Sequence, residues 1–307
     1  MPHDHHRHPH EHDHDRAASS SGFARAGLVN LGWASLQAVA GVALGSTALL
    51  SDSVHNLGDA AGLVLAWIAA VLATRKATDR RTWGWHRAEQ LAGFANASLV
   101  LMGAVVVAGG SIWKFAHPAP LDGLQVSAWA VGGIAINGLS AWWIGSHGHD
   151  LNSRGAFLHL VSDAAISAAV VIGGVAVHLS GRSWIDPLLA LAISLWLLVH
   201  TWPFFREALD SLLDAVPTRH DLSRIERDLA EIAGVVAMHD LHLWPLGGDR
   251  AALTVHLVHG TDADPSAILE TALDKLHHGH AGLHATIQVE PRGVDDWHGH
   301  DICPGRE

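Results

Sequence analysis

A pattern of one histidine and one aspartate, four residues apart, occurs twice in this chain of 307 residues. The first copy is His55 with Asp59, and the second is His159 with Asp163. Residues four apart lie on the same face of a helix, one turn from each other. Two such helices that face each other offer two imidazoles and two carboxylates. Together these groups make a complete tetrahedral set for a divalent cation such as Zn2+.

Each copy of the pattern lies inside a long apolar segment. An aspartate at the centre of a bilayer costs about 3 kcal/mol on insertion scales, so it usually marks an ion or substrate path. One copy alone could be structural, but two copies in two segments favour a shared metal site. Asp52 lies one turn before His55. Three roles stay open for it: an outer ligand, a hydrogen-bond partner of a ligand, or a charge on the access path.

The segments that carry these residues belong to a set of six apolar stretches. Each is long enough to cross a bilayer as a helix, which takes about 20 residues. We therefore expect an all-α, six-helix membrane bundle. The predicted spans are 24–44, 48–73, 90–115, 124–144, 155–179 and 185–205.

The basic residues predict the orientation of these spans. Only Lys114 and Arg182 lie on one side of them, whereas the other side is rich in lysine and arginine. Because cytoplasmic loops carry that excess, we expect both termini in the cytoplasm. The residues on the predicted cytoplasmic side are Arg16, Arg25, Arg75, Lys76, Arg80, Arg81, Arg87, Arg154 and Arg206.

The sequence after Arg206 changes to that of a small soluble domain. Helical periodicity covers 221–233, and strand-like runs cover 235–244 and 251–258 with a turn between them. A helix at 265–278 and a strand at 285–290 follow. The order αββαβ predicts a small cytoplasmic α+β domain of ferredoxin-like type.

The composition excludes one class of partner and one kind of cross-link. Charged residues make up 16% of the chain, against roughly 25% in a typical soluble domain, and the formal net charge is −11. No basic stripe is present, so nucleic acid is not an expected partner. Cys303 is the single cysteine, which excludes an intrachain disulfide.

Several motifs resemble those of the cation diffusion facilitator family. The run LSDSVHNLGD at 50–59 is similar to the family's second-helix signature, and WGWHRAE at 83–89 is similar to its second loop. Further matches are the segment from His159 to Asp163, the pair Asp186-Pro187 and the run HDLHLW at 239–244. The motifs stand in the family's order and cover the chain after its His-rich start.

The resemblance implies a homodimeric exporter, not an enzyme, in the inner (plasma) membrane that exchanges cytoplasmic divalent metal for protons. His55, Asp59, His159 and Asp163 match the transport-site positions. The first histidine is similar to that of the zinc-preferring branch, and imidazole favours Zn2+, Cd2+ or Co2+ over Mn2+ and Mg2+. Because a metal needs neutral imidazoles and ionised carboxylates, its binding releases protons. Rocking of the bundle between two states would couple efflux to proton entry.

The resemblance also implies metal sites outside the bundle. His239, His256 and Glu290 match positions that bind regulatory zinc in family members, where the metal would bridge or stiffen the dimer. Gln288 stands where some relatives have a ligating histidine. His86 lies in a loop that carries a secondary site in some members, and alone it fits an interface or hydrogen-bonding role equally well.

His242 follows His239 at an odd spacing of three residues. On a regular strand, side chains at odd spacing point to opposite faces of the sheet. We therefore expect His242 to lie on the face opposite to His239, as a surface or interface residue.

The N-terminal tail, 1–22, is rich in histidine and acidic residues. This composition is typical of a disordered segment, and its imidazoles could collect Zn2+ weakly. We divide the rest into a transmembrane transport domain (23–209), a metal-sensing and dimerisation domain (210–295) and a C-terminal tail (296–307). The histidines of the N-terminal tail are His3, His5, His6, His8, His10, His12 and His14.

Two other functions share the buried histidines and aspartates. An intramembrane metal-dependent enzyme would need an open metal position, but the four predicted ligands fill a tetrahedral set and no H-E-x-x-H motif is present. A membrane metal sensor would not need six spans. Metal flux through proteoliposomes separates a transporter from both.

Overall fold

The computed structural model describes the backbone of residues 12–145, 151–247 and 250–293, and the side chains of 27–142, 161–247 and 250–293. Long helices form the first part of the described chain: α1 (His12–Leu44), α2 (Thr47–Ala73), α3 (Ala88–Ala116), α4 (Gly123–Gly145), α5 (Leu151–Ser180) and α6 (Ile185–Leu212). The remaining elements are α7 (Leu222–Ala230), β1 (Val235–Gly247), β2 (Arg250–His259), α8 (Pro265–Gly279) and β3 (Leu283–Pro291).

Five helices of the described chain are long and apolar enough to cross a membrane: α1, α2, α3, α5 and α6. The helix α4 is 23 residues long. Its side chains are described only as far as Trp142. The count of six spans therefore stays a prediction.

The chain clusters into two compact units. The first comprises Met1–Trp67 and Ala95–Phe205, and the second comprises Ile68–Phe94 and Arg206–Glu307. The second unit thus takes in the end of α2, the loop after it and the start of α3. The predicted transmembrane domain, 23–209, includes those residues.

Glycines allow α2 and α3 to pack closely in the first unit. A Cβ added at Gly58 would come within 2.4 Å of the Val100 side chain, and one added at Gly62 would come within 2.7 Å of Asn96. Helix surfaces that approach this closely require small residues. Since Gly58 and Gly62 flank Asp59 on α2, the contact with α3 fixes the helix face that carries Asp59.

The helices α4 and α5 also meet at glycines. A Cβ at Gly123 would come within 2.1 Å of the carbonyl oxygen of Gly174. A hydrogen bond links α4 to α1, where Asn30 Nδ2 donates to Ser140 Oγ at 2.8 Å. These contacts hold α5, which carries Asp163, against α4, and α4 against α1.

A carboxylate from α6 holds the start of α2. Asp186 is 3% exposed. It accepts hydrogen bonds from the backbone N–H groups of Thr47 at 2.8 Å and Ala48 at 3.3 Å. Lys114 Nζ of α3 lies 3.4 Å from the same carboxylate. An acidic group at a helix N-terminus satisfies free N–H groups and interacts favourably with the helix dipole, so Asp186 links α2, α3 and α6.

The second unit contains a three-stranded sheet in the order β1-β2-β3. The strands β1 and β2 are antiparallel, and β2 and β3 are parallel. One face packs on α7 and α8 through the buried Leu253, Val255 and Leu257. The intervening residue His256 therefore lies on the other face. The predicted order αββαβ is confirmed, and the ferredoxin-like assignment stays a prediction.

The prediction that His242 lies opposite to His239 is wrong. His239 pairs with His256, whereas His242 pairs with Thr254, so β1 has one extra residue between these pairs. Residues directly across a ladder share a face, and Thr254 and His256 share one because they are two apart. The extra residue is a β-bulge at Asp240, whose φ is +51°. The bulge returns His242 to the face of His239.

Candidate metal centres

Helices α2 and α5 bring three of the four predicted transport-site ligands together. His55 Nε2 lies 3.0 Å from Asp163 Oδ1, and His55 Nδ1 lies 3.6 Å from Asp59 Oδ2. One ligand atom from each residue falls within 4.8 Å of the others. Tetrahedral ligand atoms at about 2.1 Å from Zn2+ are about 3.4 Å from one another. Small side-chain adjustments would therefore make these residues three corners of a tetrahedron.

The fourth predicted ligand, His159, lies on α5 one turn before Asp163. Its side chain lies outside the described residues. Residues four apart share a helix face, so the backbone of α5 carries His159 and Asp163 on the same side. The His-rich tail side chains and Cys303 also lie outside the described residues.

The three described members of this cluster differ in their exposure. His55 is 7% exposed and Asp163 is 3% exposed, whereas the side chain of Asp59 is 32% exposed. The ring of Trp196 on α6 packs edge-on against His55, with 5.8 Å between centroids. Asp59 is therefore the most exposed of the three described members of this cluster.

The histidine in this cluster faces a carboxylate with each ring nitrogen. Nδ1 of His55 faces Asp59 and Nε2 faces Asp163. A neutral imidazole offers one nitrogen to a metal, whereas an imidazolium donates a hydrogen bond from both nitrogens. The same three side chains are therefore suited to a divalent cation or to a proton on His55.

Asp52 lies outside this group of ligand atoms. It is fully buried and bonds instead to neutral side chains. Gln37 Nε2 on α1 donates to Asp52 Oδ2 at 2.5 Å, and Ser167 Oγ on α5 lies 3.0 Å from the same oxygen. Asp52 thus connects α1, α2 and α5 beside the cluster. The repeated histidine–aspartate spacing did not point to Gln37 or Ser167, although a glutamine in an apolar span is a visible signal.

A second group of ligands lies on the sheet, on the face away from α7 and α8. His239 Nε2 is 2.7 Å from Glu290 Oε1, and His256 Nδ1 is 3.4 Å from Glu290 Oε2. One ligand atom from each of the three residues falls within 4.8 Å of the others. The structure thus brings together all three residues that the sequence predicts for this site.

Gln288 holds the carboxylate of this group. It pairs with His256 across β2 and β3, and its Nε2 donates to Glu290 Oε2 at 2.7 Å. Burial by itself would raise the pKa of Glu290, but the hydrogen bonds with His239 and Gln288 and the nearby His256 outweigh it. The pKa of Glu290 is therefore held below its ordinary value, which keeps the ligand ionised.

His86 lies against an arginine. Both of its ring nitrogens are about 3 Å from Arg250 Nη2, at 3.0 and 3.1 Å. The backbone of His86 also packs on Gly247, where a Cβ would come within 2.1 Å of the His86 carbonyl oxygen. A guanidinium beside the imidazole opposes a second cation there, and this geometry favours the interface role.

Two family domains match the sequence. The cation efflux transmembrane domain matches residues 24–213. The cytoplasmic domain of cation efflux proteins matches residues 217–292. The first match takes in both helices of the buried cluster, and the second takes in the whole sheet with His239, His256 and Glu290.

Curated relatives match most of the chain. The metal cation efflux system protein CzcD of Cupriavidus metallidurans is 34% identical over 256 residues, or 83% of this chain and 81% of the relative. The zinc transporter ZitB of Escherichia coli is 32% identical over 265 residues, or 85% and 84%. A cadmium, cobalt and zinc/H(+)-K(+) antiporter of Bacillus subtilis is 30% identical over 276 residues, or 88% and 87%.

These matches cover both units, and the described helices are those of a protein that crosses the membrane several times. The relatives are efflux proteins and transporters by name. The chain belongs to the cation efflux family and is a multi-pass membrane transporter of metal cations, not an enzyme.

Proposed function

We propose that this protein exports Zn2+ from the cytoplasm in exchange for protons, by alternating access of one site in the membrane. The observation that carries the proposal is the cluster of His55, Asp59 and Asp163, in which a buried imidazole lies between two carboxylates. His159, one turn before Asp163 on α5, would complete a tetrahedral set.

The ligand types favour zinc and similar cations. Imidazole nitrogen suits borderline cations, whereas Mn2+ and Mg2+ prefer sites made of oxygen alone. Two relatives are named for zinc, or for cadmium, cobalt and zinc. We therefore expect Zn2+, Cd2+ and Co2+ to be transported.

Proton exchange follows from the position of His55. A metal ion on His55 requires the ring to give up its proton, while an imidazolium there would be stabilised by Asp59 and Asp163. One relative is named as an antiporter that uses H+ and K+. Lower pH outside the cell would favour the imidazolium and release of the metal.

The sheet cluster has a different proposed role. His239, His256 and Glu290 would bind a regulatory Zn2+ in the cytoplasm, at a site on a domain of 210–295 that also supports a homodimer. The cytoplasmic position follows from the distribution of lysine and arginine, and we propose that both termini lie there. The transport domain would cover 23–209, and the tail of 1–22 would collect metal. His86 would serve the loop interface rather than a metal.

The test is transport by the purified protein in proteoliposomes. With Zn2+ outside and an acidic interior, uptake should depend on the imposed pH gradient and should stop when an ionophore collapses it. Removing the carboxylate in Asp163→Ala should abolish uptake. Uphill Zn2+ movement without any ion gradient, or retained uptake by Asp163→Ala, would refute the proposal.

A matched control lies in the same helix bundle. Asn30 bonds to Ser140 between α1 and α4, and neither residue belongs to the group of His55, Asp59 and Asp163. The variant Ser140→Ala removes a buried polar group without touching a predicted ligand. Its uptake should follow the wild type, which separates loss of the site from loss of the fold.

A further inference from the structure

Asp52 is a buried carboxylate whose side-chain hydrogen-bond partners are the neutral Gln37 and Ser167. Asp52, Gln37 and Ser167 are each 0% exposed. Gln37 donates to Asp52 at 2.5 Å, and the hydroxyl of Ser167 lies 3.0 and 3.2 Å from its two oxygens. Within the ranges that the structure describes, no lysine or arginine forms an ion pair with Asp52.

Among the residues of this unit that the structure describes, the other buried carboxylates each form an ion pair with a basic side chain. Asp163 faces His55. Asp186 accepts from a helix N-terminus and lies near Lys114. An ionised carboxylate that is buried without such a partner is costly, and the cost is greatest at bilayer depth. A proton on Asp52 removes that charge.

Gln37 can serve Asp52 in both protonation states. Its Nε2 donates to the ionised carboxylate. Its Oε1 is buried and has no hydrogen-bond partner in the described part of the chain. A side-chain amide both donates and accepts, so rotation of the Gln37 amide would turn Oε1 towards the O–H of a protonated Asp52. The unpaired acceptor is the group that a proton on Asp52 would satisfy.

We propose that Asp52 is a second proton-binding site, separate from the metal ligands, and that it gives up its proton when a divalent cation binds to the cluster of His55, Asp59 and Asp163. The inference rests on the proposed proton exchange and deepens it. Asp52 lies one turn before His55, and residues three apart on a helix have Cβ atoms about 5–6 Å apart. The charge of the arriving cation would favour the ionised carboxylate.

The step balances as a simple proton transfer. The O–H bond of Asp52 breaks, the electron pair stays on the carboxylate oxygen, and the proton passes to water at the rim of the cluster, where the side chain of Asp59 is 32% exposed. Among the residues whose side chains the structure describes, the charged or titratable groups that face Asp52 are His55 on its own helix and Asp163 on α5. Its direct partners Gln37 and Ser167 do not titrate.

A proton fits this geometry better than an alkali cation. Both oxygens of Asp52 are already in contact with Ser167, and one of them with Gln37. An alkali cation would have to displace those donors and find further oxygen ligands, whereas a proton needs only the rotation of one amide. Dependence on K+ that is lost in Asp52→Asn would therefore overturn the assignment.

The main experiment counts the protons released when Zn2+ binds to the purified full-length protein. Calorimetry in two buffers of different ionisation enthalpy gives this count. The isosteric variant Asp52→Asn should still bind Zn2+, but it should release about one proton fewer than the wild type near neutral pH. An equal count in both proteins would overturn the proposal, and so would a pH-independent difference in affinity alone.

A second variant tests the same site without removing its charge. Ser167→Ala takes one donor from the ionised form of Asp52. Hydrogen bonds to charged groups stabilise the ionised form. Without this bond, the pH midpoint of Zn2+ binding should therefore rise by about one unit. Ser51→Ala is the matched control, since Ser51 is buried next to Asp52 but bonds to Ser194 at 3.1 Å. It should leave the midpoint unchanged.

The outcomes for Asp52 and for the proposed function can be told apart. If wild-type Zn2+ uptake ignores the pH gradient, proton coupling itself fails. If wild-type uptake follows the gradient and Asp52→Asn follows it equally, only the role of Asp52 fails. If Asp52→Asn moves Zn2+ down its gradient but responds less to pH, the second proton site stands.

Discussion

Two groups of side chains that could hold a metal ion are built on different principles. The buried cluster takes its ligands from two helices, with His55 between Asp59 and Asp163. The sheet cluster takes His239, His256 and Glu290 from three adjacent strands. Helices can shift against each other, whereas strands joined by a hydrogen-bonded ladder keep their register. The first arrangement suits a site that loads and releases its cation, and the second suits a site that holds one.

The neighbouring side chains that orient the two clusters also differ, and the difference fits the same two roles. In the sheet, Gln288 donates to Glu290, and the ladder fixes His256 beside Gln288. In the helices, His55 contacts Trp196 from a third helix, and tight glycine packing sets the face of Asp59. Hydrogen-bonded partners that orient a ligand raise metal affinity. We therefore expect tighter, slower binding at the sheet and weaker, faster binding in the membrane.

The largest expected effect comes from removing one carboxylate from each cluster. Asp163→Ala should lower Zn2+ flux in proteoliposomes by about 100-fold or more, because metal ligands and their partners contribute at least this much. Glu290→Gln should keep flux within about threefold while lowering Zn2+ affinity at the sheet, as measured by calorimetry. The opposite result, with flux depending on Glu290 and not on Asp163, would reverse the two roles.

The packing beneath the buried cluster gives the next effect. Gly58→Ala forces a Cβ to within 2.4 Å of the Val100 side chain, and overpacking of this kind costs about 1–3 kcal/mol. The variant should have a lower melting temperature in detergent than the wild type. Gly110→Ala on α3 is the control, because no atom lies within 4 Å of its added Cβ. Equal melting temperatures would show that α2 and α3 are not tightly packed at this point.

Metal preference should change at one cluster only. His55→Asp replaces an imidazole by a harder carboxylate, and the ratio of Mn2+ to Zn2+ flux should rise by about tenfold. His256→Asp makes the same exchange in the sheet and should leave the ratio of fluxes unchanged. Competition uptake with both metals in one assay measures the ratio. A change in both variants would mean that the sheet cluster helps to select the transported ion.

The smallest expected effect is a difference in acid stability. The pKa of Glu290 is lowered despite burial, by His239, Gln288 and His256. A carboxylate with a lowered folded-state pKa contributes stability above its unfolded value, about 4.3, and loses it as the pH falls through the folded value. Melting temperatures of the wild type should therefore fall more steeply below about pH 4 than those of Glu290→Gln. Parallel curves would contradict this linkage.

The sequence predicted much of this arrangement because its patterns are local. The spacing of His55 and Asp59 fixes their shared helix face, and the apolar runs predict the long helices. The order αββαβ also followed from periodicity. The rule for His242 failed because it assumed a regular strand, and a bulge at Asp240 adds one residue to β1. The single positive φ of Asp240 was enough to change the sheet face on which His242 lies.

By itself, the sequence determined which side chains are available and on which helix or strand they lie. It supplied His55, Asp59, His159 and Asp163 as candidate ligands, and it left three roles open for Asp52. Only the tertiary structure decided which of these side chains meet. It brought α5 against α2 and gave Asp52 two neutral partners, Gln37 and Ser167, on other helices. The physical reason is that contacts between helices depend on packing and crossing geometry, which spacing along one helix does not encode.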